Sequence, residues 1–300
     1  MNILIVEQST QWPLASTAGI YLLSFILLVR PRVVSVLVTR ITPNERFAVA
    51  KRVIFDKSTF DLPLAEYADS TRKAIYTKTL FDEIAHAYDR FALGPISFFR
   101  EAGWKKWLVE NVPAIPQGPI VDLATGTGEL AFMAADRYPN RSVVGLDISS
   151  AMLAVAKSKN SRRKVAFCSM DLGKMSVADA SVALFFGGYA LRNTPDLRAL
   201  LSDVHRLLIP GGIAAFLDFS KPVNPLHRAV NNASLRIWLS FWSLLLHRNL
   251  RIYNYIPSSL NYFPNHKALK RLMEETGFEI LRRKRFMFGI AEAQIIKKAR

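Results

Sequence analysis

Ile120-Val121-Asp122-Leu123-Ala124-Thr125-Gly126-Thr127-Gly128-Glu129-Leu130 decides the fold. It reads as an apolar strand that ends in a glycine turn and opens a helix. Gly126 and Gly128 let the backbone turn sharply and let a ligand approach the main chain. The unpaired N–H groups of the helix that follows then face that ligand. A nucleotide-type cofactor is expected at this turn. Gly126-x-Gly128-x-x-Ala131 also fits the dinucleotide pattern, which by itself is a weak signal.

Three further features bear on which cofactor it is. Val143-Val144-Gly145-Leu146-Asp147 is a second strand ending in an acid, 21 residues after Gly126. That acid is placed to accept hydrogen bonds from ribose hydroxyls. Val165 to Leu172 holds a third strand, and Asp171 at its end sits where an adenine amino group would be read. Asp122 lies four residues before Gly126, where it can orient the glycine loop or meet a cationic ligand. A carboxylate repels a pyrophosphate and attracts an ammonium or a sulfonium. The set resembles the motifs of class I S-adenosylmethionine (SAM) methyltransferases. The resemblance implies that Asp122, Gly126, Thr127, Gly128, Asp147, Asp171, Leu172 and Gly188 hold SAM.

Downstream, the chain is similar to one group in particular, the C-methyltransferases of ubiquinone and menaquinone biosynthesis. Tyr189-Ala190-Leu191-Arg192-Asn193, Leu208-Ile209-Pro210-Gly211-Gly212 and Leu217-Asp218-Phe219-Ser220-Lys221-Pro222 follow that family's order of motifs. Tyr255-Ile256-Pro257-Ser258-Ser259 with Phe263-Pro264, and Phe81-Asp82-Glu83-Ile84-Ala85-His86-Ala87-Tyr88-Asp89, resemble its later segment and its N-terminal helix. The likeness covers roughly residues 76–300. There are departures: Tyr189-Ala190 stands for the family's Phe-Gly, Asp218 for its Glu, and Val182-Ala183 for Phe-Asp entering the fourth strand.

The resemblance implies SAM-dependent C-methylation of a polyprenylated quinol, of the demethylmenaquinol or 2-polyprenyl-6-methoxy-benzoquinol type. Such chemistry needs a base, or groups that favour the quinolate. Arg192 is the candidate for stabilising the quinolate, Asn193 for positioning and Tyr88 for lining the pocket or sharing a proton. Tyr189 and Asp218 are further candidates. Other lipophilic acceptors (a phospholipid amine, a sterol, a polyketide) remain open, as does a non-catalytic SAM-fold subunit of a membrane complex.

Composition agrees with an enzyme of this size. Three hundred residues, half of them hydrophobic, supply a large core. The single cysteine, Cys168, excludes an intramolecular disulfide and reads as a small buried apolar residue of the third strand. The five histidines have no metal-ligand spacing, so no metal is expected. The net charge is +16, concentrated after residue 226, where fourteen Lys/Arg face four Asp/Glu. No aromatic-interleaved nucleic-acid motif accompanies it, so nucleic acid is not an expected partner. Arg282-Arg283-Lys284-Arg285 reads as a turn between two strands of residues 278–297.

Residues 1–75 form an extension outside the likeness, and 76–300 the methyltransferase domain. Leu14 to Val29 is apolar but only 16 residues long, short of the roughly 20 that span a bilayer upright. It fits a marginal anchor, an interfacial segment or a helix packed on the body. Arg30, Arg32 and Arg40 would keep an anchored enzyme on the cytoplasmic face of a membrane. Residues 42–75 read as a linker. A membrane surface and a homodimer are expected as partners.

Strands and helices alternate from Pro119 to Ser220: strands near 119–124, 142–147, 165–168, 182–187 and 213–219, helices near 128–138, 149–159 and 196–208. That pattern predicts a Rossmann-like α/β fold: a mostly parallel seven-stranded sheet with helices on both faces, ligand at the carboxyl ends of the strands. Pro225 to Arg248 is a long insertion. In it Leu235, Trp238, Leu239, Trp242, Leu245 and Leu246 recur at helical spacing, either as a core-packed helix or as a lid over a prenyl tail. Its tryptophans, near Arg228, Arg236 and Arg248, also suit a membrane interface.

Overall fold

The structure, a computed structural model, describes residues 70–89, 100–160, 165–247 and 255–299. The apolar run Leu14 to Val29 and most of the expected linker lie outside the described residues, as do the side chains of Leu245 and Leu246 and all of Arg248.

Helix α1 (Ser70–Ile84) runs into a 3-10 turn, Ala85–Ala87. The helix therefore begins inside the segment read as linker. Tyr76, Leu80 and Ile84 recur at i+4 and bury one face, which is enough to continue the helix back past Tyr76. Helix α2 (Glu101–Glu110) precedes β1 (Ile120–Leu123), α3 (Glu129–Arg137), β2 (Val143–Asp147), α4 (Ser150–Lys159) and β3 (Val165–Ser169). Then come β4 (Val182–Gly188), a single turn α5 (Ala190–Asn193), α6 (Leu197–Leu207), β5 (Leu208–Phe219), α7 (Pro225–His247), α8 (Tyr255–Tyr262), α9 (His266–Glu275), β6 (Phe278–Phe286) and β7 (Ala291–Lys298).

The sheet has seven strands in the order β3-β2-β1-β4-β5-β7-β6. The first five are parallel; β7 runs antiparallel to β5, and β6 to β7. The chain reverses direction across the sheet between β3 and β4, and that reversal opens a crevice at the carboxyl ends of β1 and β4. Successive residues of β1 and β4 feed opposite cores: Val121 and Phe185 on one face, Ile120 and Phe186 on the other. Two faces buried by helices explain why β4 is apolar throughout rather than alternating. Ser149 caps α4 by accepting from Met152 N–H. Pro210-Gly211-Gly212 is absorbed into β5 as an irregularity between Val182 and Leu184 of its neighbour, with Gly211 at φ +77°.

Two local expectations are corrected. The run Arg282–Arg285 is not a turn; it lies inside β6, and the chain reverses at Met287–Gly289. β6 is an edge strand, so charged side chains find solvent on it. Lys284 lies over the rings of Trp107 and Phe286, and Arg283 pairs with Glu292 at 2.6 Å. Cys168 is exposed, not buried. β3 is the other edge, and its Val165 and Phe167 take the inward positions, which sends Cys168 outward.

Candidate active site

The glycine turn between β1 and α3 adopts the geometry its composition predicts. Gly126 and Gly128 have φ of +55° and +87°, the left-handed region that favours glycine. A Cβ on Gly128 would meet the Phe132 and Phe167 rings at 3.0 Å, whereas one on Gly126 would meet nothing within 4 Å. The space over Gly126 is open. Asp147 holds the turn from below: Oδ2 accepts from Gly126 N–H at 2.7 Å, and Oδ1 from Ser149 N–H at 2.8 Å. Burial pushes its pKa up, against those two donors.

Above the turn lies a cavity with about 700 Å³ of open space. Gly126, Asp147, Asp171, Leu172 and Gly188 line it from the strand ends, Asn193 from α5, and Tyr88 from beyond α1. Asp171 Oδ1 accepts from Gly173 N–H at 2.9 Å, which sets its loop. A smaller cavity shares Tyr88, Gly126, Gly188 and Tyr189 with the first and is also lined by Asp122 and Thr127. All the residues read as cofactor-binding except Gly128 therefore line one or both cavities. Gly128 sits just outside, as the left-handed residue before α3.

Asp122 is buried, and burial pushes its pKa up to about 7. Its Oδ2 accepts from Thr125 Oγ1–H at 2.6 Å, while Oδ1 has no hydrogen-bond partner among the described residues. Nearby, Lys105 bridges Glu101 and Glu129. Burial works against the Lys105 charge, but the two carboxylates outweigh it and hold its pKa above the usual value. Burial also pushes Glu101 up to about 7. Thr127 Oγ1–H donates to Asp89, which also accepts from Lys159 Nζ at 2.8 Å. Asp89 thus ties the segment after α1 to the glycine turn. Asp89 closes the Phe81–Asp89 segment of the resemblance, but its bond to Thr127, 38 residues on, is not written in that segment. Phe81 of the same segment, with Ala74 and Thr77, which the sequence did not single out, brings α1 over the cavity as a wall. Asp82 holds that helix down by accepting from Ser149 Oγ–H at 2.6 Å.

Arg192 does not line either cavity. Its side chain is buried beneath α5. It donates to Ser259 of α8, lies 3.4 Å from Asp218 Oδ1 and sits over the Phe219 ring. Its own N–H donates to Asp218 Oδ2 at 2.9 Å. The expected substrate-facing guanidinium is therefore a tie between β5, α5 and α8. An arginine this deep is placed where a fixed carboxylate balances it. Asn193 Nδ2–H donates to Tyr189 O at 3.0 Å and pins the same turn. Tyr189 stands at φ +60°, strained for a residue with a side chain, with its hydroxyl buried and without a partner among the described residues. Burial pushes its pKa well above the usual 10, so it remains a neutral donor. Asp218 accepts from two main-chain N–H groups and lies outside the main cavity.

Residues 69–298 match the ubiE/COQ5 methyltransferase family. The chain belongs to that family. The demethylmenaquinone methyltransferase of Thermus thermophilus is 33% identical over 220 residues, covering 72% of this chain and 98% of that protein. That of Staphylococcus aureus is 28% identical over 226 residues, 75% and 93% of the two chains. Among solved structures, a SAM-dependent methyltransferase from Thermotoga maritima superposes with a TM-score of 0.52 at 16% identity, covering 75% of this chain and all of that one. Phosphoethanolamine N-methyltransferase 2 of Haemonchus contortus, in complex with SAM, gives 0.51 at 14%, covering 73% and 60%. These structures share the fold. The family member described here is a SAM-dependent methyltransferase, and SAM is its cofactor.

The residues present fit that group. An orphaned buried carboxylate oxygen at Asp122, open space over Gly126 and an acid at the end of β2 match an ammonium, a close main-chain approach and a ribose. Among the described residues no cluster suits a metal ion.

Proposed function

We propose that this enzyme methylates a ring carbon of a polyprenylated quinol, with demethylmenaquinol as the acceptor. The observation that carries the reading is the cavity wall itself. Phe81, Tyr88, Leu172 and Tyr189 give it an apolar, aromatic side next to the acid-lined cofactor end. The names of the relatives point to the naphthoquinol among ring acceptors.

When bound, SAM supplies a methyl group on a sulfonium, an electrophile that needs no further activation. Asp147 and Asp171 orient the nucleoside, and Asp122 faces the charged amino-acid end. Tyr88 and Phe81 hold the acceptor ring and exclude water from it. Tyr189 Oη–H donates to the acceptor's oxygen, which favours the deprotonated form whose neighbouring ring carbon is nucleophilic. Arg192 and Asn193 act through Tyr189, by fixing the turn that presents it. With Asp147 and Asp171 engaged by the nucleoside and Asp122 by the charged amino-acid end, the acceptor proton leaves to solvent or through Tyr88.

The test is methyl transfer from labelled SAM to a quinol panel. Label should enter the ring of short-chain demethylmenaquinol fastest and a methoxy-benzoquinol more slowly. Incorporation into a phospholipid amine with no quinol product would overturn the reading.

A further inference from the structure

Helix α7 carries two apolar faces. One is buried: Leu235 and Leu239 enter the core, with Trp238 and Trp242 packed against it. The tryptophans thus belong to the inner side of the helix and are not its outward aromatic contacts. The other face is bare. Leu226, Val230, Ile237, Phe241 and Leu244 recur at i, i+4, i+11, i+15 and i+18, one stripe of a 3.6-residue helix about 27 Å long. Leu226 is 74% exposed and Ile237 72%. A monomeric soluble protein rarely leaves such a row in water.

Two observations say what covers it. The stripe lies in a stretch without acid: between Asp218 and Glu274 the chain has eight Lys/Arg and no Asp or Glu. Arg236 is exposed beside the stripe. An apolar row in a stretch of chain that carries cations and no acid suits an anionic, apolar-cored partner. The second observation is the β6–β7 turn. Because β7 pairs Ala291 with Phe219, this turn lies at the carboxyl end of β5, the end that carries the cavity and from which α7 departs. At its tip Phe288 is 97% exposed and held at φ +53°, with the exposed Arg285 just before it. A bulky residue is uncommon in that conformation. Two exposed apolar features with basic neighbours thus project from the end of the sheet that holds the cavity.

We propose that the outer stripe of α7, with Phe288, docks the enzyme on an anionic lipid bilayer. The face is independent of which acceptor is methylated, and it lies within the family domain rather than in the N-terminal extension. It places the cavity end toward a membrane, the phase in which a polyprenyl chain resides.

The full-length protein with Cys168→Ser and a single introduced cysteine carries an environment-sensitive fluorophore at Ile237→Cys, Phe288→Cys or Glu279→Cys. Glu279 is exposed at the far end of β6. Vesicles of phosphatidylglycerol and phosphatidylcholine should shift the emission at 237 and 288 to the blue and leave 279 unchanged. Pure phosphatidylcholine should give a much weaker shift, and salt should reduce the anionic effect. Val230→Asp with Ile237→Asp should weaken partitioning about tenfold or more. Turnover of a water-soluble quinol analogue should stay within about twofold, since neither residue lines the cavity. No shift at 237 with anionic vesicles overturns the docking face, whatever the N-terminal extension does at the membrane. A blue-shifted label at 237 without lipid, together with a dimeric mass, would assign the stripe to a second copy of the chain and equally overturn it.

Discussion

Asp147 and Asp218 are nearly the same residue twice. Each ends a buried parallel strand, each accepts two main-chain N–H groups, and burial pushes each pKa up. They differ in what completes them. Asp218 has Arg192 beside it, and the pair is sealed under α8. Asp147 makes no ion pair among the described residues and opens on the cavity. A buried acid supplied with its own cation holds the fold together. A buried acid without one holds a place for a ligand, at a cost in stability that the ligand offsets on binding.

The largest expected effect is on the ligand-bearing acid. Asp147→Ala should weaken SAM binding by roughly 3–6 kcal/mol, two charge-assisted hydrogen bonds, or about 10²–10⁴-fold by calorimetry. The freed Gly126 N–H faces the cavity and its water, whereas the Ser149 N–H is left buried without its acceptor, so stability should fall by about 1–3 kcal/mol, less than the loss in SAM binding. A SAM affinity unchanged by the substitution would erase the distinction.

Arg192→Ala should do the reverse. It leaves Asp218 buried and uncompensated, which costs about 3–5 kcal/mol of stability in chemical denaturation. The double variant Arg192→Leu with Asp218→Leu should recover part of that loss. An Arg192→Ala protein of full stability but lower kcat would return the arginine to the substrate.

Asp122 sharpens the comparison through pH. Its folded-state pKa of about 7 lies above the usual 3.8. The unfolded chain gives up this proton first, so the contribution to stability is greatest below pH 4 and is lost as pH rises from about 4 through 7. Asp122→Asn should remove that slope and make the SAM-free protein more stable at pH 8 by up to about 4 kcal/mol. It should bind SAM less well at the same pH. A variant less stable than the wild type at pH 8 would show that Asp122 belongs with Asp218 instead.

The smallest effect is expected at Tyr189. Tyr189→Phe restores the residue the family's motif carries and removes one neutral donor, worth about 1 kcal/mol. We expect kcat to fall about fivefold with SAM affinity unchanged, read by steady-state kinetics at saturating SAM. Unchanged kcat would mean that the hydroxyl never reaches the acceptor.

Much of this was legible because it is local. Glycines at 126 and 128 demand a left-handed turn, apolar runs without alternation demand a sheet covered on both faces, and an acid closing each run marks the ligand end. The eight residues that the resemblance implies for the cofactor lie at those turns and strand ends, and seven of them line the cavities. The misreadings share a cause. Arg282–Arg285 looked like a turn and Cys168 like core because edge position is not written in a single strand; it depends on which strands pair. Arg192 looked like a catalytic group because its motif places it next to the site, while the direction of its side chain depends on where Ser259, 67 residues on, is folded.

The order of glycines, acids and apolar runs by itself called for a Rossmann-like sheet with a nucleotide-type ligand at its carboxyl edge, since strand ends and turns answer to neighbours a few residues away; that the ligand is SAM came from the resemblance of the motifs to a family. Only the tertiary structure decided which charges are spent within the fold and which remain for a ligand. It alone brought α1 over the cavity, paired Arg192 with Asp218, left Asp122 and Tyr189 with unmatched polar atoms, and turned one apolar face of α7 inward and the other out. Satisfaction of a buried polar group is a property of its surroundings, and those surroundings are assembled from segments far apart in the chain.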